Sequence, residues 1–247
     1  MDKFLRAFSQ WEQDEREKDV IGRLMEKPLH AILKNYISPD INNQEIKIGS
    51  FFADAVVDGE IFEIQTGNFN VIRKKLEYFL KENKVTIIYP VSKTNRICWI
   101  DPETAEVKKG RISPQKGNAF FIFPQLYKIK PFLKNPNLSF RVILLDTEEY
   151  RLLDGYSEDR KKGGKKLKKL PINIIEEIPL ENLAQYLSLL KDIDGVFTTA
   201  DFKKKFKLSQ KIAQCSINIL YYLGVIIRIG KKGNAFLYQK AEIPNEK

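Results

Sequence analysis

The chain has few of the residues that crosslink small secreted domains or bind zinc. Its 247 residues include 2 cysteines and 1 histidine, and Cys98 and Cys215 lie far apart in the sequence. These counts argue against a disulfide scaffold and against a zinc finger. No stretch approaches the roughly 18 consecutive apolar residues of a membrane helix. The N-terminus also lacks the apolar run of a signal peptide, so we expect a cytoplasmic protein without a membrane partner.

Positive charge is in excess, and it is concentrated toward the C-terminus. The formal net charge is +10; residues 158–247 carry 18 Lys/Arg against 10 Asp/Glu, whereas residues 1–157 carry 24 against 22. The segment Arg160–Lys169 holds seven of these positive charges. Such a block repels itself, is expected to be extended or mobile, and suits phosphate groups. We interpret residues 158–179 as a basic linker between two domains; a solvated linker without a partner is the alternative.

The most informative local pattern is an Asp58-Gly59 dipeptide between two runs of β-forming residues. It predicts a hairpin with a two-residue turn. In that hairpin Asp54 lies directly opposite Glu63, with Cβ atoms about 5 Å apart, and the other face is apolar. Like charges in opposing positions destabilise a strand pair, so the pattern predicts a cation between the two carboxylates. The alternative is a solvated acidic face, and a one-residue register slip would separate the pair.

These residues carry a family resemblance. Asp54, followed by Glu63-Ile64-Gln65, resembles the Asp…Glu-x-Lys signature of the PD-(D/E)XK nuclease superfamily. The resemblance covers about residues 20–101 and implies an α/β fold with a restriction-endonuclease-like core in the order α-β-β-β-α-β. The elements predicted here follow that order: a helix over Pro28–Ile37, strands over Gln44–Ile48, Phe52–Val57 and Glu60–Gln65, a helix over Phe69–Glu82 and a strand over Val85–Tyr89.

The resemblance implies Mg²⁺, replaceable by Mn²⁺, held by the carboxylates of Asp54 and Glu63 and the carbonyl of Ile64. Such an ion polarises a phosphoryl oxygen and lowers the pKa of a bound water. Gln65 departs from the pattern, because its neutral amide can only orient that water by hydrogen bonding. Many members add a glutamate from the first helix, and Glu26 is the candidate. Alternatively, Glu26 only favours the start of a helix.

Other residues near this pattern have two interpretations each. His30 could face the same site, or it could be an ordinary surface or core histidine. The loop Thr66-Gly67-Asn68 leads into a predicted helix, where exposed amides, Asn68 and Arg73 could hold a backbone phosphate. An ordinary strand-to-helix turn would have the same sequence.

The C-terminal segment predicts three helices and a hairpin. The helices cover Leu180–Leu190, a segment beginning near Phe197 and a segment between Ser209 and Gly224, and the hairpin pairs Val225–Ile229 with Ala235–Gln239. This order resembles a winged helix-turn-helix domain over residues 180–240, which implies a third helix in the DNA major groove. The residues expected at base edges are Ser209, Gln210, Lys211, Gln214 and Asn218, and those expected on phosphates are Lys203, Lys204, Lys205, Lys231 and Lys232. A protein-interaction module is the alternative.

Two further regions complete the domain assignment. Strands predicted over Arg96–Asp101 and Phe140–Asp146 would extend the sheet. The first 25 residues predict an amphipathic helix, with Phe4, Leu5, Phe8 and Trp11 available for packing. Residues 1–157 then form the nuclease-like domain, 158–179 the linker and 180–247 the winged helix.

The resulting hypothesis is a metal-dependent endonuclease that hydrolyses DNA phosphodiester bonds, guided by the winged-helix domain. The first alternative is a non-catalytic DNA-binding or regulatory protein on a degenerate nuclease fold. The second is an RNA-directed nuclease, because basic charge does not distinguish the two polymers. A homodimer is a further possibility, since cutting two strands often takes two sites.

Overall fold

The computed structural model describes residues 2–18, 27–153 and 164–242. The chain folds as two units, each made of several separate stretches of sequence. Unit 1 comprises Met1–Thr66, Pro90–Asn118 and Ile143–Glu177, and unit 2 comprises Gly67–Tyr89, Ala119–Val142 and Ile178–Lys247. Within the described ranges, no helix is both long and apolar enough to cross a membrane.

The largest element is a seven-stranded sheet in an α/β arrangement. Along the sheet the strand order is β1-β2-β3-β4-β6-β7, and β5 pairs with β4. The strands are β1 Gln44–Ile48, β2 Phe51–Val57, β3 Glu60–Ile64, β4 Val85–Ile100, β5 Val107–Ile112, β6 Leu138–Leu152 and β7 Lys166–Leu180. Strands β4, β6 and β7 each contain the sequence boundary between the two units.

Hairpin β2–β3 has the predicted turn and register. Asp58 and Gly59 have φ angles of 50° and 79°, both positive as a type I′ turn requires. Val57 pairs with Glu60 and Ala55 pairs with Phe62. The predicted apolar face is also confirmed, because its members are buried: Ala53, Ala55, Phe62 and Ile64.

Two helices of unit 1 bury one apolar cluster. Helix α1 covers Lys3–Lys18 and helix α2 covers Pro28–Ile37. Pro28 is compatible with the first helical turn, where its missing N–H costs no hydrogen bond. The buried members of the cluster are Phe4, Trp11, Ala31, Ile32 and Leu170, with Phe8 packed against them. Leu5, which we expected to be available for this packing, is instead 52% exposed.

Unit 2 contains the remaining helices and a second sheet. The helices are α3 Arg73–Phe79, α4 Phe123–Lys128, α5 Leu183–Ser188, α6 Thr199–Lys205 and α7 Gln210–Leu223, and the strands β8 Ile226–Lys232 and β9 Ala235–Lys240 form an antiparallel hairpin. Its core is aromatic: the ring centroid of Phe120 lies 5.0 Å from that of Phe202 and 4.6 Å from that of Phe206.

Helices α6 and α7 begin where their capping residues predict. Thr198 and Asp201 form a reciprocal capping box at the start of α6. The Ser209 side chain accepts the backbone N–H of Ile212 at the start of α7, and Gly224 ends that helix at a φ of 80°. The predicted order of three helices and a hairpin is therefore observed, and a bridge between Phe197 and Tyr238 adds a short third segment to it.

Several sequence-based boundaries do not hold. The helix predicted over Leu180–Leu190 is the shorter α5, and the strand predicted over Val225–Ile229 is β8, which continues to Lys232. The helix predicted over Phe69–Glu82 is a 3₁₀ turn, Phe69–Ile72, followed by the shorter α3. The separate strands predicted at Val85–Tyr89 and Arg96–Asp101 are one strand, β4, which continues through Pro90. Residues 166–179 of the predicted linker belong to β7, because pairing with β6 and burial of Leu170 outweigh the repulsion among lysines. Of the rest of the basic run, residues 160–163 lie outside the described residues, and Lys165 directly precedes β7.

Candidate functional site

The acidic site of unit 1 is built at the open end of hairpin β2–β3. Continued by one residue, the observed register sets Asp54 against Glu63. The Asp54 carboxylate oxygen Oδ2 accepts the backbone N–H of Ile64 at 2.7 Å. A carboxylate that accepts a backbone N–H is oriented by a charge-assisted hydrogen bond. The hairpin thus determines both where Asp54 stands and which way it points.

Helix α2 brings His30 to the same carboxylate. Its Nε2 atom lies 3.3 Å from Oδ2 of Asp54, and both side chains are shielded, with exposed fractions of 22% and 14%. The sequence offered two interpretations of this histidine, and the structure places it at the acidic site. Two of the polar groups around Asp54 therefore come from different elements, α2 and β3.

The neighbours of Asp54 on β3 differ in exposure. Glu63 is 1% exposed, and Ile64 is equally buried. Gln65, the first residue after β3, is half-buried. Burial of a carboxylate strengthens its interactions with cations and with hydrogen-bond donors, because the surrounding dielectric constant is lower than that of water. Glu63 is thus part of the interior of unit 1, while Asp54 lies closer to its surface.

The described residues do not supply a third acidic side chain for the predicted metal site. Glu26, the candidate third acid, lies outside the described residues. Among the residues that the structure describes, no group of three or more His, Cys, Asp and Glu side chains is arranged to hold a metal ion. Of the predicted ligands, the described residues include Asp54, Glu63 and the carbonyl of Ile64.

The predicted phosphate site at the start of α3 has internal partners in unit 2. The Asn68 side-chain oxygen accepts the backbone N–H of Asn70 at 3.2 Å and the ammonium of Lys128 at 2.8 Å. The Arg73 guanidinium donates to the Lys128 carbonyl oxygen at 2.7 Å. Polar groups assigned to a phosphate therefore already bind protein atoms, and a phosphate would have to compete with these hydrogen bonds.

A cleft of about 470 Å³ opens in unit 1 next to the ends of α2 and β3. Leu29 and Thr66, the chain neighbours of His30 and Gln65, contribute to its wall. Its cationic lining residues are Lys27, Lys166, Lys168 and Lys169, and its acidic lining residue is Glu149. Pockets of this size hold small ligands or parts of larger ones.

Charge interactions within the cleft are centred on Glu149, which is 4% exposed at its side chain. It pairs with Arg151 at 2.5 Å and with Lys166 at 3.0 Å. Burial alone would raise the pKa of Glu149, but the hydrogen bonds and charges of Lys166 and Arg151 outweigh it and lower that pKa. Burial also lowers the pKa of Lys169, a half-buried lysine of the same wall.

The candidate nucleic-acid residues of unit 2 are accessible. All of those predicted to meet DNA are exposed: Lys203, Lys204, Lys205, Ser209, Gln210, Lys211, Gln214, Asn218, Lys231 and Lys232. Asn218 has an internal partner, since its side-chain oxygen accepts the Lys130 ammonium at 2.8 Å. On hairpin β8–β9, the Arg228 guanidinium lies 3.5 Å from the ring centroid of Phe236.

The sequence did not predict that residues of β7 line the cleft. The lysines of this segment suit phosphate groups, but the charge block predicts a linker. The missed signal is the recurrence of apolar residues after the charge block, in Leu170, Ile172 and Ile174. Alternation of this kind predicts a strand.

Comparison with known proteins identifies a family without a described activity. A family model described as "Domain of unknown function (DUF8091)" matches residues 27–181, so the chain belongs to that family. A similar protein from Treponema pallidum (strain Nichols), described as "Uncharacterized protein", is 29% identical over 143 residues. That match covers 58% of this chain and 57% of the Treponema protein. No solved structure matches the chain.

Proposed function

We propose that this protein is a metal-dependent nuclease of the PD-(D/E)XK type that hydrolyses DNA phosphodiester bonds. The observation that carries the proposal is the orientation of Asp54 at the open end of hairpin β2–β3, opposite Glu63 in the continued register. The order α2-β1-β2-β3-α3-β4 supports it, because the resemblance implies this order of elements. The basic cleft beside the site gives room for an anionic substrate.

The donor set fits Mg²⁺. Asp54 and Glu63 provide carboxylate oxygens and Ile64 a backbone carbonyl, which are the hard ligands that this ion prefers. Mg²⁺ keeps several of its waters, so few protein ligands suffice. When bound, the ion would supply Lewis-acid polarisation and a more acidic water.

The chain's own residues have separate roles in this proposal. His30 holds the Asp54 carboxylate from the α2 side, at 3.3 Å, and the Ile64 N–H holds it from β3. The Gln65 amide can donate and accept hydrogen bonds, so it orients the attacking water without adding charge. The buried surroundings of Glu63 strengthen its attraction for a cation.

The C-terminal helices and hairpin of unit 2 are proposed to bind the DNA as a winged helix. The support is the exposure of the polar residues at the start of α7, which would meet base edges, and of lysines on α6 and β8, which would meet phosphates. Charge variants are the appropriate test of this role. Deleting residues 180–247 would also remove Phe202 and Phe206, two aromatic side chains that pack against Phe120 in unit 2.

A second candidate function is DNA binding without cleavage. It is favoured by the 1% exposure of Glu63 and by the neutral side chain of Gln65 where the related enzymes carry lysine. A carboxylate as deep as that of Glu63 binds an ion only if water and phosphate reach it, so its burial also suits a fold retained for binding alone.

The discriminating experiment compares cleavage of plasmid DNA, single-stranded DNA and RNA with Mg²⁺ or Mn²⁺. The proteins are wild type, Asp54→Asn, Glu63→Gln and the control Glu103→Gln, an exposed acid on the β4–β5 connection. The proposal requires cleavage by wild type and by the control and loss in both site variants. Activity that survives in both would remove the assigned site. DNA binding with no cleavage by wild type would establish the second candidate, and cleavage confined to RNA would make the substrate RNA.

Sedimentation of the wild type would determine whether it is a dimer.

A further inference from the structure

The lysine-lined cleft of unit 1 has more positive than negative side chains in its wall, which favours an anionic ligand. Four lysines and one glutamate contribute charges to its wall. The glutamate does not cancel the lysines of the cleft one for one, because Glu149 is shared between Lys166 and Arg151. The cleft therefore keeps a positive excess in which an anionic ligand would be stabilised.

Lys169 adds a second, independent reason to expect an anion. It is half-buried in the wall of the cleft, and burial lowers its pKa. A charged ammonium is costly in such a position unless an opposite charge accompanies it. Glu149 raises that pKa, but Lys166 lowers it, and burial remains the largest influence. A phosphate in the cleft would offset the cost of keeping Lys169 charged.

The spacing of the lysines fits a polymer better than a single phosphate. Lys166, Lys168 and Lys169 lie on one strand, β7, whose residues rise about 3.3 Å each, so the row covers about 10 Å. Phosphates follow one another about every 3.4 Å of helix axis along a single strand of duplex DNA. Lysines spread over this length span more than one phosphate of a strand, whereas a single phosphate would occupy only part of the row.

We infer that this cleft binds the phosphodiester backbone of a nucleic-acid strand, with Lys27 on one wall and the β7 lysines on the other. The inference rests on the proposed function for the identity of the polymer, and it adds a contact in unit 1 that is separate from the C-terminal helices. Thr66 lines the cleft and directly follows Gln65 in the chain, so this inference sets the bound strand next to the acidic site.

The test measures binding apart from cleavage, in full-length protein carrying Asp54→Asn and in the presence of EDTA. The probes are a fluorescently labelled single-stranded oligonucleotide and its duplex, and the Kd is measured over a series of salt concentrations. The variants are Lys166→Gln/Lys168→Gln and Lys168→Gln alone. The second variant leaves the Lys166–Glu149 pair intact, so a binding defect in it does not come from loss of that pair. The control is Lys47→Gln/Lys116→Gln, a pair of exposed lysines elsewhere in unit 1.

We expect the double variant to reduce the slope of log Kd against log salt by about 1.4 for the single strand or about 1.8 for the duplex, and the single variant by about half as much. The control should keep the wild-type slope. Competition by a mononucleotide and by inorganic phosphate should require a large excess over the oligonucleotide. Slopes unchanged in both cleft variants would overturn the inference. Equal competition by mononucleotide or phosphate would also overturn it, in favour of a small phosphate site.

The outcomes separate this inference from the proposed function. Metal-dependent cleavage by the wild type, with cleft variants that bind like the control, would support the proposed nuclease function and contradict the inference about the cleft. Reduced salt slopes in the cleft variants, without cleavage of any substrate by the wild type, would support nucleic-acid binding in the cleft and contradict the proposed nuclease function.

Discussion

Hairpin β2–β3 and hairpin β8–β9 both reverse the chain in two residues, with a glycine at positive φ in each turn. Their surroundings are opposite. β3 is buried from Ile61 to Ile64, whereas β8 is exposed from Ile227 to Lys232. The first hairpin carries a shielded acidic pair, and the second carries cations at the surface. The same local turn therefore supports either a buried site or an exposed binding surface, and packing determines which.

This difference has consequences for how each hairpin would act. A shielded carboxylate such as that of Asp54 interacts strongly and over short distances, so its contribution depends on exact neighbours such as His30 and the Ile64 N–H. An exposed lysine acts through screened charge, so its contribution depends on salt more than on geometry. Substitutions in the first hairpin should change chemistry, and substitutions in the second should change the salt dependence of binding.

The largest effect is expected from the acidic pair. Substituting a group that only orients a metal ligand costs roughly 10- to 100-fold in activity, so Asp54→Asn or Glu63→Gln should reduce cleavage by at least about 100-fold. Single-turnover cleavage rates would measure this, with circular dichroism to confirm folding. Rates within a few-fold of wild type in folded Asp54→Asn would contradict the assignment.

His30→Ala should have the next largest effect. It removes the group 3.3 Å from Oδ2 of Asp54 while leaving the Ile64 hydrogen bond, so we expect a loss of roughly 10- to 100-fold. His30→Gln, which can still donate a hydrogen bond, should recover part of the rate. The same single-turnover assay applies, and equal rates for the two variants would indicate that the contact has no positioning role.

The exposed hairpin should respond through salt. Lys231→Gln/Lys232→Gln should lower the slope of log Kd against log salt by about 1.8 for duplex DNA, because two phosphate contacts are lost. Lys81→Gln/Lys84→Gln, a pair of exposed lysines elsewhere in unit 2, is the matched control. Fluorescence anisotropy in the Asp54→Asn background would measure the slopes. Identical slopes for the two double variants would show that the hairpin does not meet phosphates.

The cleft should show a pH dependence of its own. Burial lowers the pKa of Lys169 below its ordinary value of 10.5, so as the pH rises this lysine loses its charge earlier than an exposed lysine would. Oligonucleotide affinity should therefore fall as the pH rises through that lowered pKa. Lys169→Arg should keep its affinity over the same range, because arginine stays charged. The Kd at constant salt, measured as a function of pH, would check this, and parallel profiles would exclude Lys169 as the titrating group.

The smallest effect concerns the turns. Gly59→Ala and Gly233→Ala place a side chain at φ angles of 79° and 59°, and in neither case does the new Cβ meet another atom within 4 Å. The cost is that of a left-handed conformation, about 1–2 kcal/mol for each. Chemical denaturation would measure it. Only Gly59→Ala should also reduce cleavage, since its turn holds the register of Asp54 and Glu63; equal cleavage by both variants would contradict this.

Much of the candidate site could be predicted because its determinants are close in sequence. The Asp58-Gly59 turn fixes the register of β2 and β3, and that register sets Asp54 against Glu63 without reference to any distant residue. The capping residues Thr198 and Ser209 likewise determine where two helices begin, because a cap acts on amides two or three residues away.

The rest depended on pairing between distant segments. Local sequence predicts a linker for the lysine-rich segment, whereas the structure pairs this segment with β6. No pattern within the segment indicates that pairing. The contact between His30 and Asp54 joins residues 24 positions apart, and the cleft joins a lysine at the start of α2 to the lysines of β7.

The sequence by itself therefore determined the two hairpin turns, the helix caps and the acidic pair, since each follows from interactions within a few residues. Only the tertiary structure decided which hairpin is buried, which group approaches Asp54 and where the lysines of β7 lie. Burial is a property of the whole chain, because it requires apolar surface from several segments to meet.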